Sequence, residues 1–196
     1  MTHRIYTTEA IVLAVREAGE GTRTLSLFTP DLGLIFATAQ GLRELKSKLR
    51  YSLQLFSLAK VSLVRGREVW RLVGAVPERG FMRPTVTPEV LSLVARVAHL
   101  TLRLIHGETA QSELFAGYKA NLFFLNTPDL SSEQLRQAEL LIVLRLLHRL
   151  GYIEARPELA PLLNFHEWDV AILDQVPSLE TSVLRVVNQA LQHSHL

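Results

Sequence analysis

The stretch Thr22-Arg-Thr-Leu-Ser-Leu-Phe-Thr-Pro-Asp-Leu-Gly-Leu-Ile-Phe-Ala-Thr-Ala-Gln40 decides the fold. In the first and the last third of this stretch, apolar and polar residues alternate with a period of two, which is typical of half-buried β-strands. Pro30-Asp-Leu-Gly33 lies between them, and it favours a turn because proline fixes φ and glycine accepts a positive φ. The stretch therefore predicts two strands, Thr22–Thr29 and Leu34–Gln40, joined by a tight turn.

The flanking sequence extends this hairpin into a barrel. Three more segments have strand-like composition: Ile5–Arg16, Leu55–Val64 and Glu68–Ala75. In the first of them, Ile11, Leu13 and Val15 are expected to share one face. Five short strands, with the longest connection between the third and the fourth, suit a closed Greek-key barrel of the OB type. An SH3-like barrel fits the same pattern nearly as well.

The second half of the chain has a helical pattern. Pro84 and Pro88 mark the change, and Ser131 with Gln134 forms a capping box. Apolar residues at helical spacing predict helices over these ranges: Pro88–His106, Ser112–Asn126, from the Ser131 cap to Leu150, and Ser178–Gln192. The predicted fold class is thus α+β, with an OB-type five-stranded barrel over residues 1–80 and an all-α helical domain over residues 81–196.

The composition excludes several classes of protein and site. The chain of 196 residues has no cysteine, so disulfides and thiolate zinc sites are excluded. It has no signal-peptide apolar block and no run near the ~20 apolar residues of a membrane span, so we expect a cytoplasmic protein without membrane contact. We find no phosphate-binding glycine loop, no Gly-x-Ser-x-Gly elbow and no histidine pair at ligand spacing. We therefore predict no enzyme, no cofactor and no metal site.

The charge is distributed unevenly along the chain. Residues 1–80 carry 12 lysines and arginines against 7 acids, whereas residues 81–196 carry 9 against 12. The richest stretch is the basic connector, Gly41–Arg50, between the third and fourth predicted strands. A positive excess confined to one half points to a polyanion as the partner of that half.

Cations from three parts of the predicted barrel form the candidate nucleic-acid site. On an OB-type barrel, ligands lie across strands two and three, between the first and last hairpin loops. The candidate residues are Arg23, Arg43, Lys46, Lys48, Arg50, Arg65 and Arg67. Phe28 and Phe36 are candidates for base stacking because both fall on the polar side of their strands. Solvated basic loops, and packing of that aromatic face inside the protein, are the competing interpretations.

Several motifs follow one another in a family-specific order. They are Glu9-Ala-Ile-Val-Leu13, Arg16 with Gly19-Glu20-x-x-Arg23, Leu27-Phe-Thr-Pro-x-Leu-Gly33, Gly41-x-Arg43, Lys46-Ser-x-Leu-Arg50 and Leu53-Gln-x-Phe56. In order and spacing they resemble the N-terminal domain of RecO, a family of bacterial recombination mediators, over about 75 residues. The helical half resembles the family more loosely, best at Leu144–Tyr152.

The resemblance implies both a fold and a set of partners. Members of the family have an OB barrel followed by a helical domain, bind single- and double-stranded DNA and anneal complementary strands. They act with RecR and single-stranded-DNA-binding protein to load the RecA recombinase. The family's basic DNA-contacting surface maps here onto Arg43, Lys46, Lys48 and Arg50.

This chain departs from the family pattern at two places. Many members insert a four-cysteine zinc module where Ile153–Trp168 lies here, and because this segment has no cysteine we expect no structural zinc. Glu44 replaces part of the basic pair that often follows Gly-x-Arg, which is expected to weaken DNA binding. Two other classes therefore stay open beside a recombination mediator: an RNA-binding OB protein and a protein-interaction scaffold.

Overall fold

The computed structural model describes residues 4–19, 21–40, 53–67, 69–78, 86–127, 130–164 and 168–193. The chain divides into two compact units, Met1–Arg83 with Ile105–Phe115 and Pro84–Leu104 with Ala116–Leu196. The first unit thus includes a later segment, Ile105–Phe115, in addition to the strands. The predicted domain boundary between residues 80 and 81 stays a prediction.

Five strands form the first unit. They are β1 (Ile5–Glu17), β2 (Thr22–Thr29), β3 (Gly33–Gln40), β4 (Leu58–Arg65) and β5 (Trp70–Pro77). They close into a barrel in the order β1-β2-β3-β5-β4, in which the long β1 pairs with both β2 and β4. The parallel pair β3–β5 completes the closure, and the other pairs are antiparallel. This arrangement confirms the OB-type barrel followed by helices and not the SH3-like alternative.

The barrel core matches the alternation predicted for β2 and β3 but not the alternation predicted for β1. Leu25 and Leu27 on β2 and Ile35 on β3 are fully buried in the core cluster, as the alternation indicates. On β1 the core residues are Ala10 and Val12, with Val15 partly buried against them. The expectation that Ile11, Leu13 and Val15 share a face is wrong. The register shifts between Val12 and Ala14, so a β-bulge moves Val15 to the core side and leaves Ile11 and Leu13 on the other.

Two tight turns set the ends of the strands. In the β2–β3 turn, the Thr29 hydroxyl donates to the Gly33 carbonyl and accepts from the Leu32 amide, both at 3.0 Å. A second turn delays β4, which begins at Leu58 and not at the predicted Leu55. There the Ser57 amide donates to the Gln54 carbonyl at 3.0 Å, and Phe56 takes a positive φ of 64°.

The segment Ile105–Phe115 packs on the barrel near the β2–β3 turn. The Gln111 amide donates to the Pro30 carbonyl at 2.8 Å. The rings of Phe28 and Phe115 meet edge to face with centroids 5.6 Å apart. The outer face of β2 is therefore covered at Phe28 by a segment distant in sequence.

The helices are α1 (Pro88–Leu104), α2 (Ser112–Leu125), α3 (Ser132–Arg149), the single turn α4 (Val170–Leu173) and α5 (Val176–His193), with a 3-10 helix at Pro157–Leu162. Helix α3 is central, because it contacts α1, α4 and α5. Its predicted capping box is confirmed, since Ser131 and Gln134 bond each other's backbone amides. Among the described residues, no helix combines the length and apolarity that crossing a membrane requires.

A fully buried arginine lies in the middle of α3. Arg145 donates from Nε to the Leu162 carbonyl at 2.7 Å, and its guanidinium lies 4.7 Å from the centre of the Trp168 ring. The indole N–H of Trp168 in turn donates to the Asn121 side chain at 2.9 Å. Arg145 thus connects the central helix to the segment that follows it.

Candidate nucleic-acid interface

A row of directly paired residues crosses the outer face of the barrel. Arg16 on β1 pairs with Thr24 on β2, Thr24 pairs with Thr38 on β3, and Thr38 pairs with Arg71 on β5. Directly paired residues share a face, so all four side chains point away from the core. Three strand-to-strand steps, each of ~4.8 Å, separate the two exposed arginines at the ends of this row. We call these four residues the arginine row.

A surface cavity of about 400 Å³ continues the row at the β4–β5 hairpin. Thr38 and Arg71, the last two members of the row, line it. The other lining residues are Val64, Arg65, Gly66, Arg67 and Val69. We call this concave site the hairpin cavity. Arg71 therefore lies beside the outer face of strands β2 and β3, which is the ligand face of OB barrels, and Arg65 and Arg67 line the same cavity at the hairpin.

Arg65 already has an acidic partner inside this unit. Its guanidinium forms an ion pair with Glu108, and it lies 4.8 Å from the centre of the Trp70 ring. The Trp70 indole N–H donates to the second oxygen of Glu108 at 3.2 Å. The hydrogen bond to Glu108 is the main reason why the pKa of Arg65 is raised above its usual value. Arg65 therefore keeps its positive charge but is already paired with an acid of its own unit.

Arg23 differs from the other candidates in its orientation. It pairs with Ala39, a core residue, so its side chain starts from the inner face at the end of β2. It is half-buried, and its Nε is buried with no hydrogen-bond partner among the described residues. Arg23 thus lies next to Thr24 of the arginine row in the sequence but on the opposite side of β2.

The two candidate stacking residues have opposite environments. Phe36 is 51% exposed on the outer face of β3, two residues before Thr38. Phe28 is 0% exposed and packs against Phe115, so the expectation that a base stacks on it is wrong. The expectation fails because the segment Ile105–Phe115 covers the polar side of β2 at Phe28. Phe36 stays a candidate platform beside the arginine row.

The basic connector lies outside the described residues, so Arg43, Lys46, Lys48 and Arg50 have no structural account. The chain enters it from Gln40, where β3 ends two residues after Thr38. Among the described residues, no group of three or more histidine, aspartate or glutamate side chains is placed to hold a metal ion.

The sequence analysis missed Arg16, Arg71 and Glu108. Arg16 and Arg71 could have been predicted from strand alternation, because each occupies an outward position of its strand once the register is known. The β1 bulge obscured that register for Arg16. Glu108 gives no local signal, since it follows α1 and meets the barrel only through the fold.

The strand order defines an OB-type barrel protein, and the arginine row places two exposed arginines on its outer face. Residues 1–81 match the family model described as "Recombination protein O N terminal". Relatives from this family also align over most of the chain. Residues 1–81 thus match the N-terminal domain of RecO proteins, and the chain is similar to such proteins over most of its length.

Three relatives show the extent of the similarity. The chain is 31% identical over 162 residues to the DNA repair protein RecO of Dehalococcoides mccartyi, which covers 83% of this chain and 61% of that protein. It is 32% identical over 159 residues to the Roseiflexus protein, covering 81% and 53%. It is 32% identical over 126 residues to the Synechocystis protein, covering 63% and 46%. The chain thus matches between 46% and 61% of the length of these relatives.

Proposed function

We propose that this protein is a DNA-repair mediator, without enzymatic activity of its own, that binds single- and double-stranded DNA and anneals complementary strands. In this proposal it acts with RecR to help load RecA onto single strands covered by single-stranded-DNA-binding protein. Its place is the cytoplasm, at the nucleoid, because DNA is its ligand. The match of residues 1–81 to the family model supports the role, and the names of the relatives describe DNA repair proteins.

The observation that carries the proposal is the arginine row with its adjoining hairpin cavity. Arg16 and Arg71 stand at the two ends of the row, and Arg67 stands at the hairpin. A chain of phosphates can bind such a row through charge-assisted hydrogen bonds, with no need of base-specific contacts. Exposed Phe36 on the same face offers a ring on which a base can stack. Proteins that bind single-stranded nucleic acids usually combine cationic side chains with aromatic rings on which bases stack.

The test is the binding of a labelled single-stranded oligonucleotide, followed by fluorescence anisotropy across a salt series. Arg16→Ala combined with Arg71→Ala should weaken binding of every sequence tested. It should also flatten the log–log salt dependence by about 0.7 for each phosphate that the variant no longer neutralises. The matched control is Arg103→Ala combined with Arg185→Ala, which removes two exposed helical arginines and should change binding much less.

The same assay separates the alternatives. A control variant that loses binding while the row variant keeps it places the DNA site on the helices and contradicts this mapping. Preference for RNA over DNA of the same sequence favours the RNA-binding OB protein. No binding of either nucleic acid at low salt favours the protein-interaction scaffold.

A further inference from the structure

One carboxylate binds Arg65 of the hairpin cavity and the adjacent indole of Trp70. Glu108 uses both of its oxygens, one on the Arg65 guanidinium and the other on the Trp70 indole N–H. A guanidinium and an N–H donor on neighbouring strand positions also suit a phosphate group, which accepts the same hydrogen bonds. Glu108 therefore stands where an anionic ligand of Arg65 would bind.

The backbone around Glu108 is held against the barrel. The amide of Gln111 is bonded to Pro30, and the Ser112 hydroxyl lies 3.3 Å from the same carbonyl. Gly33 packs so closely on Thr109 that an added Cβ would lie 2.4 Å from its carbonyl oxygen. The carboxylate is thus delivered to Arg65 by a docked segment, while its side chain stays 38% exposed and able to rotate into water.

Among the described residues, Glu108 is the acid that forms an ion pair with an arginine of this cavity. Arg65, Arg67 and Arg71 supply three positive charges, and Glu108 offsets one of them. An exposed ion pair adds little to stability because water screens it. Its effect on an incoming polyanion is larger, since the carboxylate repels each phosphate and must release Arg65 before a phosphate can bind it.

We propose that Glu108 is an internal competitor of nucleic-acid phosphate that holds Arg65 in a paired state and lowers the affinity of the barrel for DNA. This inference rests on the proposed function. A phosphate that enters the hairpin cavity displaces the carboxylate from Arg65 and Trp70. The Glu108 side chain then turns to solvent while its backbone stays docked.

The decisive variant is Glu108→Gln, which keeps one of the two acceptor oxygens and removes the charge. Its affinity for single-stranded DNA should rise about two- to fivefold at low salt, the range that coupling within one exposed ion pair supports. The salt dependence should steepen by about 0.7 if Arg65 then neutralises one phosphate. The control Glu78→Gln removes one exposed acid of the same unit away from Arg65, and its affinity should rise less.

A double-mutant cycle with Arg65→Ala shows whether Glu108 lowers the DNA affinity through Arg65. In the Arg65→Ala background, Glu108→Gln should leave the affinity unchanged, because the competed cation is absent. A second readout uses the wild-type protein: titration with the same oligonucleotide should shift the Trp70 indole N–H resonance, which loses its Glu108 acceptor. The chain has two tryptophans, so Trp168→Phe assigns the two signals.

Each outcome bears on one claim. If wild type binds DNA but Glu108→Gln binds no better than Glu78→Gln, the competition is refuted and the proposed function stands. A rise in affinity that persists without Arg65 also refutes it, since Glu108 then acts by long-range charge. An unmoved Trp70 resonance in saturated wild type refutes displacement, even if the variant folds poorly. If neither wild type nor Glu108→Gln binds, the proposed function fails first.

Discussion

Phe28 and Phe36 occupy the same outer face of one hairpin but differ in their exposure to solvent. Phe36 pairs with Ser26, two residues before Phe28, so the side chains are close neighbours on that face. Phe28 lies under Phe115, whereas Phe36 is open to water. The alternation could place both rings on one face, but it carries no information about which of them a distant segment covers.

Replacing Phe36 by Ala should weaken single-stranded DNA binding by about 1–3 kcal/mol, the range for loss of one base–aromatic stack. The salt dependence should stay unchanged, because a ring releases no counterions. Val76→Ala, at the most exposed apolar residue of β5, is the control and should bind like wild type. A change in salt slope for Phe36→Ala would show that the residue orders phosphate contacts instead.

Gly33 lies in close contact with the docked segment Ile105–Phe115. Its φ of 65° is left-handed, and an added Cβ would meet the Thr109 carbonyl oxygen at 2.4 Å. Gly33→Ala should therefore destabilise the fold by more than the ~1–2 kcal/mol of left-handed strain alone. Gly21 has a similar φ of 71° with nothing within 4 Å of its Cβ position, so Gly21→Ala is the control for strain. Urea unfolding measures both, and equal losses of stability would contradict the role of the close approach.

At the scale of elements, much of the fold could be read from local patterns. The Pro30–Gly33 turn and the Ser131 capping box are local interactions, and both were found from the sequence. The bulge in β1 was not, because an extra residue changes the register without changing the composition. The burial of Arg145 was not either, since its partners Leu162 and Trp168 lie beyond the helix that carries it.

Arg145→Ala should destabilise the protein by about 3–5 kcal/mol in urea unfolding, because it leaves a cavity and removes the donor of the buried Leu162 carbonyl. Arg145→Lys should lose less but should not restore stability, since an ammonium lacks the planar fork that stacks on Trp168. The exposed Arg103→Ala should stay within about 0.5 kcal/mol of wild type. Full rescue by lysine would mean that charge alone matters at this position.

The ion pairs of Arg136 connect α3 to α5 and predict a dependence on pH. Hydrogen bonds from Arg136 lower the pKa of Glu133 and of Glu180 below the usual 4.5. The stability they contribute is therefore present above pH 4.5 and is lost as the pH falls through the lowered values. Arg136→Gln should unfold at lower urea than wild type near pH 6, and the gap should close as the pH falls to about 3. A gap that is constant or widens in acid would contradict this assignment.

At the scale of the molecule, the charge asymmetry was visible in the sequence but its geometry was not. The excess of cations in residues 1–80 pointed to the barrel, and the strand pairing gathers Arg16 and Arg71 into one row. The acid that pairs with Arg65, Glu108, belongs to the barrel unit through the fold and not through its place in the sequence. A count of charges over a predicted domain cannot include a residue that the fold brings in from elsewhere.

The basic connector should add affinity to this face without adding sequence preference. Lys46, Lys48 and Arg50 lie outside the described residues, and their role is inferred from the charge pattern and the family resemblance. Replacing all three by Ala should weaken single-stranded DNA binding for every sequence, because phosphates carry no sequence information. The log–log salt slope should fall by about 0.7 for each phosphate that is no longer neutralised, with stability within about 0.5 kcal/mol of wild type.

The matched control for the connector removes three exposed arginines from the second unit, Arg103, Arg156 and Arg185. It lowers the net charge by the same amount, so any shared loss of affinity reports the long-range field and not local phosphate binding. Because phosphates are neutralised locally, the connector variant should lose more affinity than the control, and its slope should fall further. If both variants lose the same affinity with the same slope, the connector contributes only net charge. If the connector variant binds like wild type, the arginine row alone must hold the strand.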